Sequence, residues 1–267
     1  MSITVTSENH VTTIAINRPH ARNAVDPACA TALYQAFLAF EADHDAAIAI
    51  LTGDKAAFCA GFDLKAAAVG MNADWPARHA IPPDWDDPAA HPLPSPMGPA
   101  RLMLSKPVIA AIEGPAVAGG MELAAWCDIR VIGQSAYFGI FCRRWGVPLI
   151  DGGTVRLPGI VGQGRANDLI LTGRAVHADE ALAIGLANQV VADGTALDAA
   201  RAYAAAVLKF PQTCMLGDLS SSRMPGDELA RRLRREWQAA TQIMGESMAG
   251  AARFASGKGR GGDFEGI

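Results

Sequence analysis

The chain has 267 residues, enough for one large core with a smaller appendage; half are apolar and only 19% charged, which excludes intrinsic disorder. Twenty-three basic residues against 27 acidic ones give a net charge of −4, which argues against a binder of nucleic acid or of anionic membranes. No apolar run reaches the roughly 18 residues that a membrane span needs.

The start, Met1-Ser2-Ile3-Thr4-Val5-Thr6, is polar and alternating, so it reads as a β-strand and not as a signal peptide. A second alternation, Val11, Ile14 and Ile16, follows Asn9-His10, which predicts a hairpin. Asp26-Pro27 is a helix start, with the aspartate as N-cap and proline in the first turn. Behind it Ala30, Leu33, Phe37 and Phe40 recur at helical spacing. The run from Ala46 to Leu51 predicts a buried parallel strand.

Residues 70–100 are crowded with prolines around Trp75, His79, Trp85 and His91, which predicts irregular structure, either disordered or a functional cover. Strands are predicted at Val108–112, 128–132 and 136–140, and helices after Gly119-Gly120, over 162–172 and over 178–184. Repeated strand, strand, helix implies an α/β core of stacked units. Beyond about residue 195 the strand signals stop. Residues 195–209 and 227–244 read as helices, the second amphipathic with Leu229, Leu233 and Trp237 on one face. Its arginine run reads as a solvated or interfacial face.

Several short motifs fail. Gly257 to Gly262 spells GxGxxG but follows a helix with five residues to spare, so no βαβ unit can form around it. Five widely spaced cysteines without a CxxC give neither a disulfide framework nor a zinc site. Buried free thiols in a reducing cytoplasm, and no bound metal, are the expectation.

Two segments survive as chemistry. Ala57-Phe58-Cys59-Ala60-Gly61-Phe62-Asp63-Leu64 and Gly114-Pro115-Ala116-Val117-Ala118-Gly119-Gly120-Met121-Glu122-Leu123 each follow a buried strand. Their small residues let backbone approach a ligand closely. Gly119 opens a helix, where amides lack intrahelical acceptors and the helix dipole favours negative charge. Two such loops facing one another would form an oxyanion hole. Glu122, one turn on from Gly119, falls on the same side.

These segments resemble the signatures of the crotonase, or enoyl-CoA hydratase/isomerase, superfamily: A-F-x-A-G-x-D-L/I and K-P-V-I-A-A-I/V-x-G-x-A-x-G-G-G-x-E-L-A. Lys106-Pro107-Val108-Ile109-Ala110-Ala111-Ile112, Cys127-Asp128-Ile129-Arg130, Gly152-Gly153-Thr154 and Leu171-Thr172-Gly173-Arg174 fit in order. The resemblance implies an α/β fold: a spiral of ββα units over 1–195, and a C-terminal helical region, 196–267, that assembles a homotrimer or a dimer of trimers. It implies acyl-CoA thioester substrates, with coenzyme A arriving as part of the substrate and no other cofactor. The amides of Phe62 and Gly119 would hold the thioester oxygen. Ala60, Asp63 and Leu64 would meet the coenzyme A moiety, as would Phe254 and Lys258 reaching the site of a neighbouring subunit. Glu122 matches one of the two hydratase glutamates.

The second glutamate is missing. Counting back twelve residues from Thr154 gives Cys142. Asp151, in Leu149-Ile150-Asp151-Gly152-Gly153-Thr154, instead resembles the aspartate that dienoyl-CoA isomerases and a CoA dehalogenase carry in this loop. Two carboxylates, Glu122 and Asp151, are thus the expected acid–base pair. Asp151 could alternatively cap the helix near Thr154, and Cys142 could be a small buried residue or a nucleophile. The altered spacing predicts weak hydration of crotonyl-CoA and a preference for double-bond migration or a specialised substrate. The alternatives are another crotonase chemistry (thioester hydrolysis, decarboxylation or dehalogenation) and a non-catalytic or RNA-binding relative.

Overall fold

A computed structural model describes residues 1–70 and 74–257. The chain opens with strands β1 (Ile3–Glu8) and β2 (Val11–Ile16), paired antiparallel. Asn9 (φ 52°) and His10 (φ 65°) are both left-handed, the conformation that a two-residue hairpin turn demands. Helix α1 (Pro27–Ala42) starts as its sequence requires: the Asp26 carboxylate accepts the Cys29 amide at 2.8 Å, and Pro27 takes the first position. Its buried face is Cys29, Ala30, Leu33, Phe37 and Phe40.

The main sheet has six strands in the order β1-β2-β3-β4-β6-β9, with β3 (Ile48–Thr52), β4 (Val108–Ile112), β6 (Ile129–Gly133) and β9 (Gln189–Val191) all parallel to β2. A second sheet joins β5 (Pro115–Val117), β7 (Tyr137–Gly139) and β8 (Ala175–His177). The repeat explains the pair of sheets. Each unit sends its first strand to the main sheet and its second to the small one, as β4 and β5 do before helix α4 (Gly119–Trp126). Strands β6 and β7 do the same before a 3₁₀ turn (Phe141–Trp145) and helix α5 (Gly153–Val161). In the unit of β3 the second strand shrinks to one bridge, Cys59 to Ala116, ahead of helix α2 (Leu64–Gly70). This is the spiral of ββα units that the sequence motifs imply.

Helices α6 (Gln163–Thr172) and α7 (Ala178–Ala183) match expectation; β8 and β9, at three residues each, carry too little pattern to be read in sequence. The four C-terminal helices are α8 (Ala196–Val207), α9 (Gln212–Ser222), α10 (Gly226–Thr241) and α11 (Met244–Ala255). The amphipathic stretch predicted over 227–244 therefore ends early, and α11 is a separate helix after a break at Gln242-Ile243. Although composition changes near residue 195, α8 packs straight onto the main sheet: Ala200 and Ala204 share a cluster with Ile48, Ile50, Ile109 and Val131.

Residues 71–73 of the proline-rich stretch lie outside the described residues; over 74–100 the chain is irregular apart from α3 (Trp75–Arg78), and it is packed. Trp75, Ile81 and Trp85 join Leu229, Ala230, Leu233 and Trp237 of α10 in one buried cluster. Arg234 donates to the carbonyls of Pro82 and Trp85, so one member of the arginine run ties the cover down while Arg231, Arg232 and Arg235 stay exposed. Among the described residues no helix is long and apolar enough to cross a membrane.

Candidate active site

The two glycine-containing loops are held against each other by backbone. Cys59 donates to Pro115 at 3.1 Å and Val117 to Cys59 at 3.0 Å. Gly61 makes the approach possible. It sits at φ +93°, and a Cβ there would lie 2.8 Å from the Ala118 Cβ and 2.9 Å from the Gly119 nitrogen. Phe62 and Gly119 both line a cavity of 640 Å³. Their amides donate to no protein acceptor among the described residues. Gly119 is the first residue of α4, so its N–H points out of the helix end. Two amides without a protein acceptor, on residues from adjoining loops that line one cavity, are the kind of donor that an oxyanion hole uses.

Glu122 and Asp151 line the same cavity and are almost fully buried, at 3% and 2% exposure. Glu122 Oε1 accepts the amides of Asp151 and Gly153, both at 2.9 Å, which leaves Oε2 for the cavity. Asp151 Oδ1 accepts the Met97 amide at 2.9 Å. Burial drives the Glu122 carboxyl well above the usual range, and the charges of Asp151 and Glu236 add to this. Burial also raises Asp151 above the ordinary carboxylate value; the Met97 amide and the Arg101 charge act against that rise without reversing it. Burial raises both; what differs is the neighbouring charge, carboxylates for Glu122 and a guanidinium for Asp151, a difference of the kind that separates an acid from a base.

Asp151 does not cap α5. The helix begins after Gly152, and its first amides are taken by two other carboxylates: Glu122, on Gly153, and Glu236 of α10. Glu236 accepts Gly152 N at 2.7 Å, Thr154 N at 2.9 Å and Thr154 Oγ1 at 2.7 Å. Cys142 lines the cavity, but burial pushes its thiol up to about 12, so it is a protonated, inert group near neutral pH.

Ala60, Asp63, Leu64 and Phe254 also line the cavity. The Asp63 carboxylate is already engaged. It pairs with Arg18 at 3.1 Å and caps α2 through the amides of Lys65 and Ala66. Helix α11 folds back against α2 and the 3₁₀ turn, so Phe254, edge-on to Trp145 at 5.2 Å, lines the cavity of its own chain. Lys258 lies outside the described residues. Other motif residues are structural. Asp128 binds Arg223 and the Val108 amide, while Arg130 donates to the Cys127 carbonyl at the end of α4 and to Leu186.

Sequence reasoning missed Met97, Arg101 and Glu236. Glu236 left a signal: with Leu229, Leu233, Trp237 and Ala240 it occupies the apolar face of α10, where a carboxylate needs a specific partner. Met97 and Arg101 sit in irregular chain, where no periodicity betrays which side chains turn inward.

A family model described as enoyl-CoA hydratase/isomerase matches residues 6–217. An enoyl-CoA hydratase of Mycobacterium tuberculosis, EchA19, is 39% identical over 210 residues, covering 76% of this chain and 73% of its own. The (E)-benzylidenesuccinyl-CoA hydratase of Thauera aromatica is 35% identical over 207 residues, covering 76% and 75%. Among solved structures, a carnitinyl-CoA hydratase from Mycobacterium avium superposes with a TM-score of 0.81 at 29% identity, over 96% of this chain and 95% of that one. Paired amide loops, a buried carboxylate one turn into α4 and relatives of this kind over most of the sequence lead to one conclusion: the chain is an enzyme of the enoyl-CoA hydratase/isomerase, or crotonase, family.

Proposed function

We propose that this enzyme adds water to, or removes it from, an acyl-CoA thioester through an enolate, with Glu122 as acid and Asp151 as base. One observation carries the reading: both carboxylates open into the cavity that the Phe62 and Gly119 amides line. The thioester oxygen accepts those two amides. Asp151 takes a proton from water as the oxygen adds to the β-carbon, and the enolate charge collects on the thioester oxygen. Glu122 then delivers a proton to the α-carbon. Because Oε1 already carries two amide donors, its proton resides on Oε2, the oxygen towards the cavity. Exposed His20, Arg22 and Lys65 line the same cavity and suit the phosphates of coenzyme A.

The hydratase names of the relatives favour hydration or dehydration. Cys142 at the place of the second glutamate favours a second reading, double-bond migration, which uses the same enolate and needs no water clamp. Both readings favour a bulkier acyl group than crotonyl, since Trp75, Met97 and Ile150 wall a roomy cavity. The test is a panel of 2-enoyl- and 3-enoyl-CoA thioesters in heavy water, with products identified by mass spectrometry. Hydration adds the elements of heavy water, one deuterium remaining on the α-carbon; migration adds no oxygen and changes the mass only by exchanged deuterium. Asp151→Asn keeps shape but cannot act as a base, and turnover is expected to fall about 10²-fold or more with coenzyme A affinity retained. Full activity in this variant refutes the assignment.

A further inference from the structure

Arg101 ends the proline-rich cover and is fully buried. Its Nη1 donates to the carbonyls of His79 at 2.9 Å and Pro94 at 3.2 Å, and its guanidinium carbon lies 5.1 Å from the centre of the Trp237 ring. Nε and Nη2 are buried without a hydrogen-bond acceptor. A buried guanidinium left so bare is tolerated only against compensating negative charge. The chain around it leads to that charge. Met97, four residues earlier, donates to Asp151 Oδ1. Arg156 clips the same two segments together, with Nη1 on the Asp151 carbonyl at 3.1 Å and Nη2 on the Ala100 carbonyl at 2.8 Å.

We propose that Arg101 is a positioning residue, the buried cation that the cover carries in to hold Asp151 in its anionic form. The proposal rests on Asp151 being the base of the reaction above. The titratable and charged groups that face Asp151 come from every side: Glu122 from α4, Glu236 from α10, Arg156 from α5, and His79 with Arg101 from the cover. The two glutamates oppose ionisation of Asp151; Arg101 and Arg156 favour it, while burial lowers His79 below its ordinary value and leaves it chiefly neutral near neutral pH. Arg101 itself, brought down to about 10 by burial, keeps its charge near neutral pH. A cover that delivers both an amide and a cation to one carboxylate does more than exclude water: it adds a second buried guanidinium to that of Arg156, against the two glutamates.

The test separates charge from packing. Protein labelled with carboxyl-¹³C aspartate is titrated by NMR, with the Asp151 signal assigned by its loss in Asp151→Asn. Arg101→Met retains length and contact with Trp237 but removes the charge, and the Asp151 midpoint is expected to rise by on the order of 1 pH unit. Arg101→Lys restores the charge and should return the midpoint towards wild type. The acid limb of kcat/KM moves with the midpoint. Should Arg101→Met not fold, Arg101→Gln is read the same way. An unchanged midpoint in the neutral variant overturns the proposal. So does a lysine variant that behaves like the methionine one, which would mark a packing role. If the midpoint moves as expected while Asp151→Asn stays active, the pairing stands and the assignment of Asp151 as base fails.

Discussion

Ala118 shows how closely one residue can be tied to the chemistry. It holds φ 53° and ψ −126°, a conformation that suits glycine and strains any residue with a Cβ. The turn sets the next amide at the end of α4, on Gly119, a residue that lines the cavity. The family signature has three glycines in a row here, whereas this chain has Ala118-Gly119-Gly120. Relief of strain in Ala118→Gly is worth about 1–3 kcal/mol, against about 0.5–1 kcal/mol for the added freedom of the unfolded chain. The variant is therefore expected to be more stable by up to about 2 kcal/mol, measured by urea unfolding. A loss of stability would show that contact of the Ala118 methyl with Gly61 outweighs the strain.

At the scale of the element, the start of α5 is where the site is assembled. Its first amides are shared between a carboxylate from α4 and one from α10, so three helices meet at the 151–154 backbone. Glu236 is raised from 4.5 to about 7, chiefly by burial; the bonds from Thr154 and Gly152 act against this and the Asp151 charge with it. The folded state therefore binds this proton more tightly than the unfolded chain does. The stabilisation is complete below the unfolded value of 4.5 and is lost as pH rises through about 7. Glu236 alone can contribute a slope of up to about 1.4 kcal/mol per pH unit across that window. Glu236→Gln should flatten the decline between about pH 5 and pH 7, read from denaturant midpoints at several pH values. An equal slope in both proteins would remove Glu236 from the balance.

At the scale of the molecule, the C-terminal helices serve two ends. Helices α10 and α11 reach back to the site, one with Glu236 and the other with Phe254. Helix α9 does not: it buries none of its own residues, although it carries Met215, Leu216 and Leu219. Met215, Leu216 and Leu219 stay only half-buried in the single chain, which supports the proposal that 196–267 is an assembly region, building a homotrimer or a dimer of trimers. Light scattering at micromolar concentration is expected to report three or six chains, and Leu216→Glu with Leu219→Glu to lower that number. A monomeric wild type would refute the assembly.

Much of this was legible in the sequence, and for definable reasons. The Asn9-His10 turn, the Asp26 cap, the apolar stripe of α1 and the buried runs at β3 and β4 are local: each depends on backbone preference or periodicity within a few residues. The glycine loops and Glu122 were legible because a helix start places its amides and its first-turn side chain together in any fold. Non-local features were not. Whether Asp151 capped α5 or faced a cavity depended on what else could take the α5 amides, and the answer, Glu236, lies 85 positions along the chain. The proline-rich segment offered no period from which to read that Trp75 and Trp85 turn inward against α10 or that Arg101 is buried. The sequence by itself determined the longer helices, the main-sheet strands β1 to β4 and the two glycine-containing loops, because short-range sterics and hydrogen bonding specify them. Only the tertiary structure decided which carboxylates share the cavity and which cation faces them, because electrostatics between buried groups depends on distances that chain order does not encode.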